Sequence, residues 1–392
     1  MKVQENIKLS SGHISLYFFY LVFFLNLGAT SFQSKYFGEI GISDVELGIL
    51  NAMPAFVCVL VQPLWGSFSD KVKYKRTTLF IGCFLGAVFY ISANFTTDFI
   101  PLLITITLMT AAIQPVSPVS TAISLEYVNT NGGSYGFIRL LGTLGYQIAA
   151  LSVGFILADS LRGLLLLNGI FLMICTLLSF FLPPVEGHQH DIKEKVSFFS
   201  LLKDRRIFLM LLILGFAEVT NMYSVTFLGK LQGELGVSNV GTGIITVLSI
   251  VLEIPFLFFG ERLYKKTTIW NWILIAIAAN GLRWLGYAYV KDVIGFIIIG
   301  IPSVTVLACF EFFPALYMNE ITDDKVKASA QSLLSLVTFG VAKIVGSLLG
   351  GFVSERFGIQ PTYLICAFIM AIIFALSIIP CRRMNKAESV NL

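Results

Sequence analysis

Long apolar runs alternate with short polar stretches from one end of the chain to the other. About 20 apolar residues cross the hydrocarbon core as a helix, and that rule finds twelve segments: 13–35, 44–68, 76–96, 98–122, 135–158, 161–184, 205–229, 239–260, 267–290, 293–318, 327–353 and 359–380. Six lie on each side of a polar stretch that holds His188, His190, Asp191, Lys193, Glu194 and Lys195. The pattern predicts an all-α membrane protein with twelve transmembrane helices, arranged as a six-helix bundle over residues 1–184, a linker over 185–204 and a second bundle over 205–392. No small-residue cleavage site follows the first apolar run, so that run reads as an uncleaved span.

A longer period divides the chain in two. Gly38-Glu-Ile-Gly-Ile-Ser-Asp-Val-Glu-Leu-Gly-Ile-Leu50 returns 195 positions later as Gly233-Glu-Leu-Gly-Val-Ser-Asn-Val-Gly-Thr-Gly-Ile-Ile245, with seven of thirteen positions identical. An apolar run and then a basic loop follow each copy. The halves therefore read as a fused duplication with a shared orientation.

Composition agrees: 56% of residues are hydrophobic and 13% charged, too little charge for the surface of a water-soluble globule. Placing the N-terminus in the cytoplasm puts 19 Lys and Arg residues inside and 5 outside, the asymmetry that sets orientation. Both termini are then cytoplasmic, in a cell membrane, and the positive charge is loop charge that requires no nucleic acid. The six cysteines lack metal-ligand spacing and the histidines His13, His188 and His190 fall in or beside loops. No metal or cofactor is expected, and no nucleophile–base set or phosphate loop points to an enzyme. Small residues in the fifth span (Gly142, Gly145, Ala149, Ala150, Gly154) and the eleventh (Gly340, Ala342, Gly346, Gly350, Gly351) allow close packing in lipid. These two spans are expected to meet between the halves.

Between the second and third spans the chain reads Gly66-Ser-Phe-Ser-Asp70-Lys71, followed by Lys73, Lys75 and Arg76. With two six-helix halves and a central linker, this resembles the major facilitator superfamily, whose loop motif is Gly-x-x-x-Asp-(Arg/Lys)-x-Gly-(Arg/Lys)-(Arg/Lys). The resemblance covers nearly the whole chain. It implies that fold, with two pseudo-symmetric bundles rocking about a midplane site, and a latch in which Asp70, flanked by Lys71 and Arg76, engages helix ends in one state and releases them in another. Finer matches resemble the lactose permease and phenylpropionate permease branch. Tyr135-Gly136-Phe-Ile-Arg139-Leu-Leu-Gly142-Thr-Leu-Gly145-Tyr is similar to its fifth-helix motif, whose arginine binds substrate. Phe310-Glu311-Phe-Phe-Pro314 is similar to the region carrying its proton-binding glutamate, and Arg283 stands where that branch has a functional arginine. Ala308, Phe339 and Thr121 depart from the branch's histidine, lysine and glutamate, with Lys343 one turn after Phe339. The resemblance thus implies a proton symporter without naming lactose.

Six ionisable residues lie within apolar runs: Arg139, Glu218, Glu253, Arg283, Glu311 and Lys343. A charge at the bilayer centre costs roughly 2.5–3.5 kcal/mol on insertion scales, so these side chains imply a wet or paired interior. A carboxylate sheltered from fixed cations takes up a proton and gives it up when a cation approaches, which couples proton and solute movement. Glu311, Glu218 and Glu253 are the candidate proton carriers. Candidate solute ligands are Arg139, Arg283, Glu218 with Asn221 and Tyr223, and the intramembrane amides Asn26, Gln114 and Gln147; Lys343 is a candidate charge partner. The expected function is proton-coupled uptake of a small polar solute, a sugar or glycoside, by a monomer whose partners are the solute, protons and lipid. Uptake of an aromatic or other organic acid, drug efflux by proton antiport, and a non-transporting sensor are the alternatives.

Overall fold

In lipid each backbone N–H and C=O must find its partner within its own segment or on a neighbouring protein surface, which makes the apolar runs helices. The computed structural model describes residues 11–186, 201–322 and 326–389. Its helices are α1 (Ser11–Glu39), α2 (Asp44–Lys71), α3 (Arg76–Ala93), α4 (Phe99–Asn131), α5 (Tyr135–Ile156), α6 (Leu161–Ser179), α7 (Arg205–Glu234), α8 (Asn239–Tyr264), α9 (Ile269–Tyr289), α10 (Val293–Ile321), α11 (Ser329–Phe357) and α12 (Ile359–Ser389). Among the described residues ten helices are long and apolar enough to cross a membrane, and no strand occurs. α9 is diluted by Asn271, Asn280 and Arg283. The chain is an all-α multi-pass membrane protein. Most of the expected linker, residues 187–200, lies outside the described residues, as do the side chains of Asp70 and Glu253.

The duplicated stretch builds the same device twice. Gly41 and Gly236, equivalent in the two copies, take φ of 87° and 70°, a turn that a Cβ would strain. Ser43 then caps α2: its hydroxyl accepts from the Glu46 N–H at 3.3 Å while the Glu46 carboxylate accepts from the Ser43 N–H at 3.0 Å. That is a reciprocal capping box. Ser238 caps α8 by accepting from the Gly241 N–H at 3.1 Å, and glycine at 241 supplies no returning carboxylate. Further along each helix a glycine meets foreign backbone. A Cβ on Gly48 would stand 2.4 Å from Ser347 O, and one on Gly243 2.3 Å from Ala150 O.

Two compact units result: Met1–Gly41 with Met53–Lys193 and Ser238–Gly243, and Ile42–Ala52 with Glu194–Val237 and Ile244–Leu392. In the first, α1 and α5 interlock through glycine notches, since a Cβ on Gly28 would lie 2.3 Å from Tyr146 O and one on Gly145 2.4 Å from Leu21 O. In the second, Gly346 of α11 lies against Val219 O of α7, where a Cβ would come within 2.3 Å, and Gly350 lies against the Tyr223 ring. The small residues of α5 and α11, expected to face each other, are thus occupied by α1 and α7. At their far ends Gly154 meets Asn239 O of α8 and Gly351 meets Asp44 O of α2. In hydrocarbon, where apolar surface gains nothing by leaving lipid for protein, such backbone approach is what binds helices.

Several helices depart from regularity, α1 by a 3-10 turn at Thr30–Phe32. α4 bends at Gln114–Pro115. α10 is interrupted at Ile301–Pro302 and then opens into a π turn, Leu307–Phe312, and α11 contains another at Leu336–Val341. Such turns recur at functional sites. Outside the spans, Asp204 caps α7 by accepting from the Arg206 N–H, and the Arg206 side chain, hydrogen-bonded to it at 2.8 Å, holds its carboxyl below the usual carboxylate range.

The notch at Gly346 is directly testable. Gly346→Val should lower the thermal midpoint of detergent-solubilised protein by about 4 °C or more. Gly281→Ala, whose Cβ would meet Met370 Cβ at an ordinary 3.5 Å, should leave it unchanged; equal losses would mean that backbone contact at Gly346 is not what holds α7 and α11.

Candidate functional site

The second unit contains a carboxylate with an unfilled acceptor. Glu218 of α7 is wholly buried, and Asn221 donates to its Oε2 at 3.0 Å. A spacing of three residues puts both on one helix face. Its other oxygen has no hydrogen-bond partner among the described residues. Glu311 is half-buried on the π turn of α10, and no ion pair neutralises it or Glu218 among the described residues. A buried carboxylate without a fixed cation is costly, and an approaching cation or a proton relieves it.

Arg283 has a different seat. Its guanidinium lies over the rings of Trp284 and Tyr287, 5.0 and 5.6 Å from their centroids, a cation–π arrangement, and its Nε is unpartnered among the described residues. Trp284 is fully buried and donates to Thr220 Oγ1 at 3.0 Å. Tyr223, read from sequence as a solute ligand, is only 2% exposed. Its hydroxyl is shared with Ser354 Oγ at 2.8 Å and donates to Ile359 O at 3.1 Å, tying α7 to α11 and α12. Lys343 is half-buried on α11.

In the first unit the polar candidates also divide. Asn26 is wholly buried and donates to Asn168 Oδ1 at 2.8 Å, joining α1 to α6. Arg139 is exposed near the start of α5, with its guanidinium 4.7 Å from the Phe24 centroid. Gln114 is half-buried at the bend of α4. Gln147, half-buried on α5, has neither amide atom partnered among the described residues. Sequence reasoning missed a hydroxyl chain, Tyr20–Thr121–Tyr135, linked at 3.4 Å per step.

The residues expected at the latch separate. Lys71 is exposed, whereas Arg76 Nη1 donates to Phe180 O and Leu182 O at 3.1 and 3.0 Å, closing the end of α6. Its neighbour Lys75 pairs with Glu126 at 3.0 Å. A second charged cluster was not singled out from sequence. Within the second unit Lys230 pairs with Asp44 at 2.6 Å and donates to Ile42 O at 2.8 Å, while Glu355 accepts from the Asp44 and Val45 N–H groups at 2.8 and 3.2 Å. Acids at a helix N-terminus are favoured by its dipole, and the Ser43-x-x-Glu46 spacing was the available signal.

Comparison with known proteins gives a consistent result. The model of the MFS_1 like family matches residues 13–365. Maltose permease of Geobacillus stearothermophilus is 26% identical over 375 residues, covering 92% of this chain and 92% of the permease. Nucleoside permease NupG of Escherichia coli is 22% identical over 351 residues, covering 84% of each. The crystal structure of nucleoside transporter NupG superposes with a TM-score of 0.78 at 19% identity, over 95% of this chain and 98% of that one. That of a D-xylose-proton symporter gives 0.69 at 13% identity, over 94% and 97%. At such identities the structural likeness concerns the fold.

Committed and free polar groups respond differently to deletion. Tyr223→Phe removes two interhelical bonds and should lower the thermal midpoint by about 2–4 °C. Gln147→Leu removes an amide with no partner among the described residues and should leave the midpoint unchanged or raised; a comparable loss would make Gln147 part of the scaffold.

Proposed function

The chain belongs to the MFS_1 like family of major facilitator superfamily transporters, and from that membership we propose that it imports a neutral, hydroxyl-rich solute, a sugar or glycoside, together with protons. It is a transporter and not an enzyme. Maltose and nucleosides, named for two of its relatives, share a chemistry: each contains an uncharged sugar ring with several hydroxyls, and a nucleoside is itself a glycoside. Hydroxyls both donate and accept, so they suit a carboxylate oxygen and amides without protein partners. The observation that carries the reading is Glu218, fully buried, with one oxygen bonded to Asn221 and the other without a partner among the described residues.

In this reading Glu311 carries the proton. Its carboxyl has no counter-cation among the described salt bridges, and protonation lets it pass through an apolar environment without carrying charge. Glu218 and Asn221 bind the solute, and Glu253 is the further candidate for proton exchange. Solute and proton bind on one face of the membrane and leave on the other as the site changes sides, the mode of transport that paired repeats serve. The excess of loop Lys and Arg on one side supports cytoplasmic termini in a cell membrane, and the reading needs only a monomer. Uptake of an organic acid is a second reading, favoured by the unfilled donor of Arg283.

Proteoliposomes offered maltose, uridine and an aromatic carboxylate, with and without an inward proton gradient, separate these readings. Glu311→Gln should abolish uphill accumulation of the accepted solute and leave its exchange across the membrane within about two-fold of wild type. Uphill uptake that persists in this variant would remove Glu311 from the coupling step.

A further inference from the structure

α9 and α10 run antiparallel within the second unit, and four contacts set their register. Trp270 packs on Tyr317, Trp272 on Phe313 and Tyr287 on Phe296, while a Cβ on Gly286 would meet Ile299. Counting inward from these pairs brings Asn280 level with residues 303–307. Asn280 belongs to the buried stripe of α9 with Ile273, Ile277, Trp284 and Tyr287. It is 0% exposed, and neither Nδ2 nor Oδ1 has a partner among the described residues. Across the seam Ser303, also buried, has an unpartnered Oγ. Two unrelieved polar groups at one level of adjacent helices are costly unless something bonds to them.

The seam is polar and irregular at that level. Pro302 has no N–H to close on the carbonyl of Ile298 four residues back. Among the described backbone bonds outside the helices, that carbonyl accepts from the Ile301 N–H at 3.2 Å.

We propose that Asn280 and Ser303 hold a buried water molecule between α9 and the break in α10. Water matches the donor set: it donates to Asn280 Oδ1 or to the Ile298 carbonyl, accepts from Asn280 Nδ2, and exchanges a hydrogen bond with the Ser303 hydroxyl. A metal cation would satisfy the oxygens and leave Nδ2 unpaired. Through the water, α9 holds the broken segment that leads into the π turn of Glu311, which makes Asn280 a positioning residue for that carboxyl. This last step rests on Glu311 as the proton carrier; the water site does not.

A thermal double-mutant cycle tests the site without a transport assay. Asn280→Leu and Ser303→Ala should each lower the midpoint by a similar amount, about 2–4 °C, and the double variant should fall no further, because either change releases the same water. Ser303→Thr, which keeps the hydroxyl, should behave as wild type. A raised midpoint in the single variants, or losses that add, would overturn the shared water. For the positioning role, Asn280→Leu should shift the pH profile of solute uptake by about half a unit or more; a profile that overlays wild type would overturn it.

Discussion

A polar group carried into hydrocarbon must find a partner inside the protein, because lipid offers none. Most of the side chains that break the apolar pattern here obey by pairing helices. Asn26 joins Asn168, Thr226 joins Ser347 at 2.8 Å, Tyr363 donates to Ser224 at 3.1 Å, and Tyr223 bridges to Ser354 and Ile359. Against that background the exceptions carry information. Glu218 Oε1, the Gln147 amide and the Asn280 amide are enclosed without protein partners among the described residues; in the reading proposed, Glu218 serves the solute and Asn280 a buried water.

The duplication supplies the frame on which those groups are mounted, and its two copies have diverged in charge. A left-handed glycine turn, a serine cap and a glycine notch recur at Gly41, Ser43 and Gly48 and at Gly236, Ser238 and Gly243. At the residue after the cap the copies part. Asp44 takes an ion pair with Lys230, whereas Asn239 donates through Nδ2 to Leu157 O at 2.6 Å. The same fold position is thus fastened by charge in one copy and by a neutral bond in the other.

Hydrophobic period made the helices legible, since it depends on pattern along the chain. Glu218 and Asn221 were legible too, because a three-residue spacing on a helix fixes a shared face. What could not be read was direction around the helix axis at positions that offer two neighbours. Asn26 and Gln147 look alike as intramembrane amides, yet the first finds Asn168, 142 positions away, and the second finds no partner among the described residues. Arg76 belongs to a recognisable loop motif, but its bonds to the end of α6 depend on where Phe180 and Leu182 stop. Small residues in α5 and α11 announced close packing, while the partner was set by complementary backbone on α1 and α7. Asn280 gave no signal in sequence, because its significance comes from a break in the facing helix.

The central claim is that solute entry is tied to proton entry through a buried carboxyl. External pH recorded in a weakly buffered suspension of unenergised proteoliposomes tests it most directly. Adding the transported sugar or nucleoside should make the outside medium alkaline as protons accompany it inward, and a protonophore should erase the signal. Solute accumulation inside the vesicles with no accompanying rise in external pH would contradict proton coupling outright.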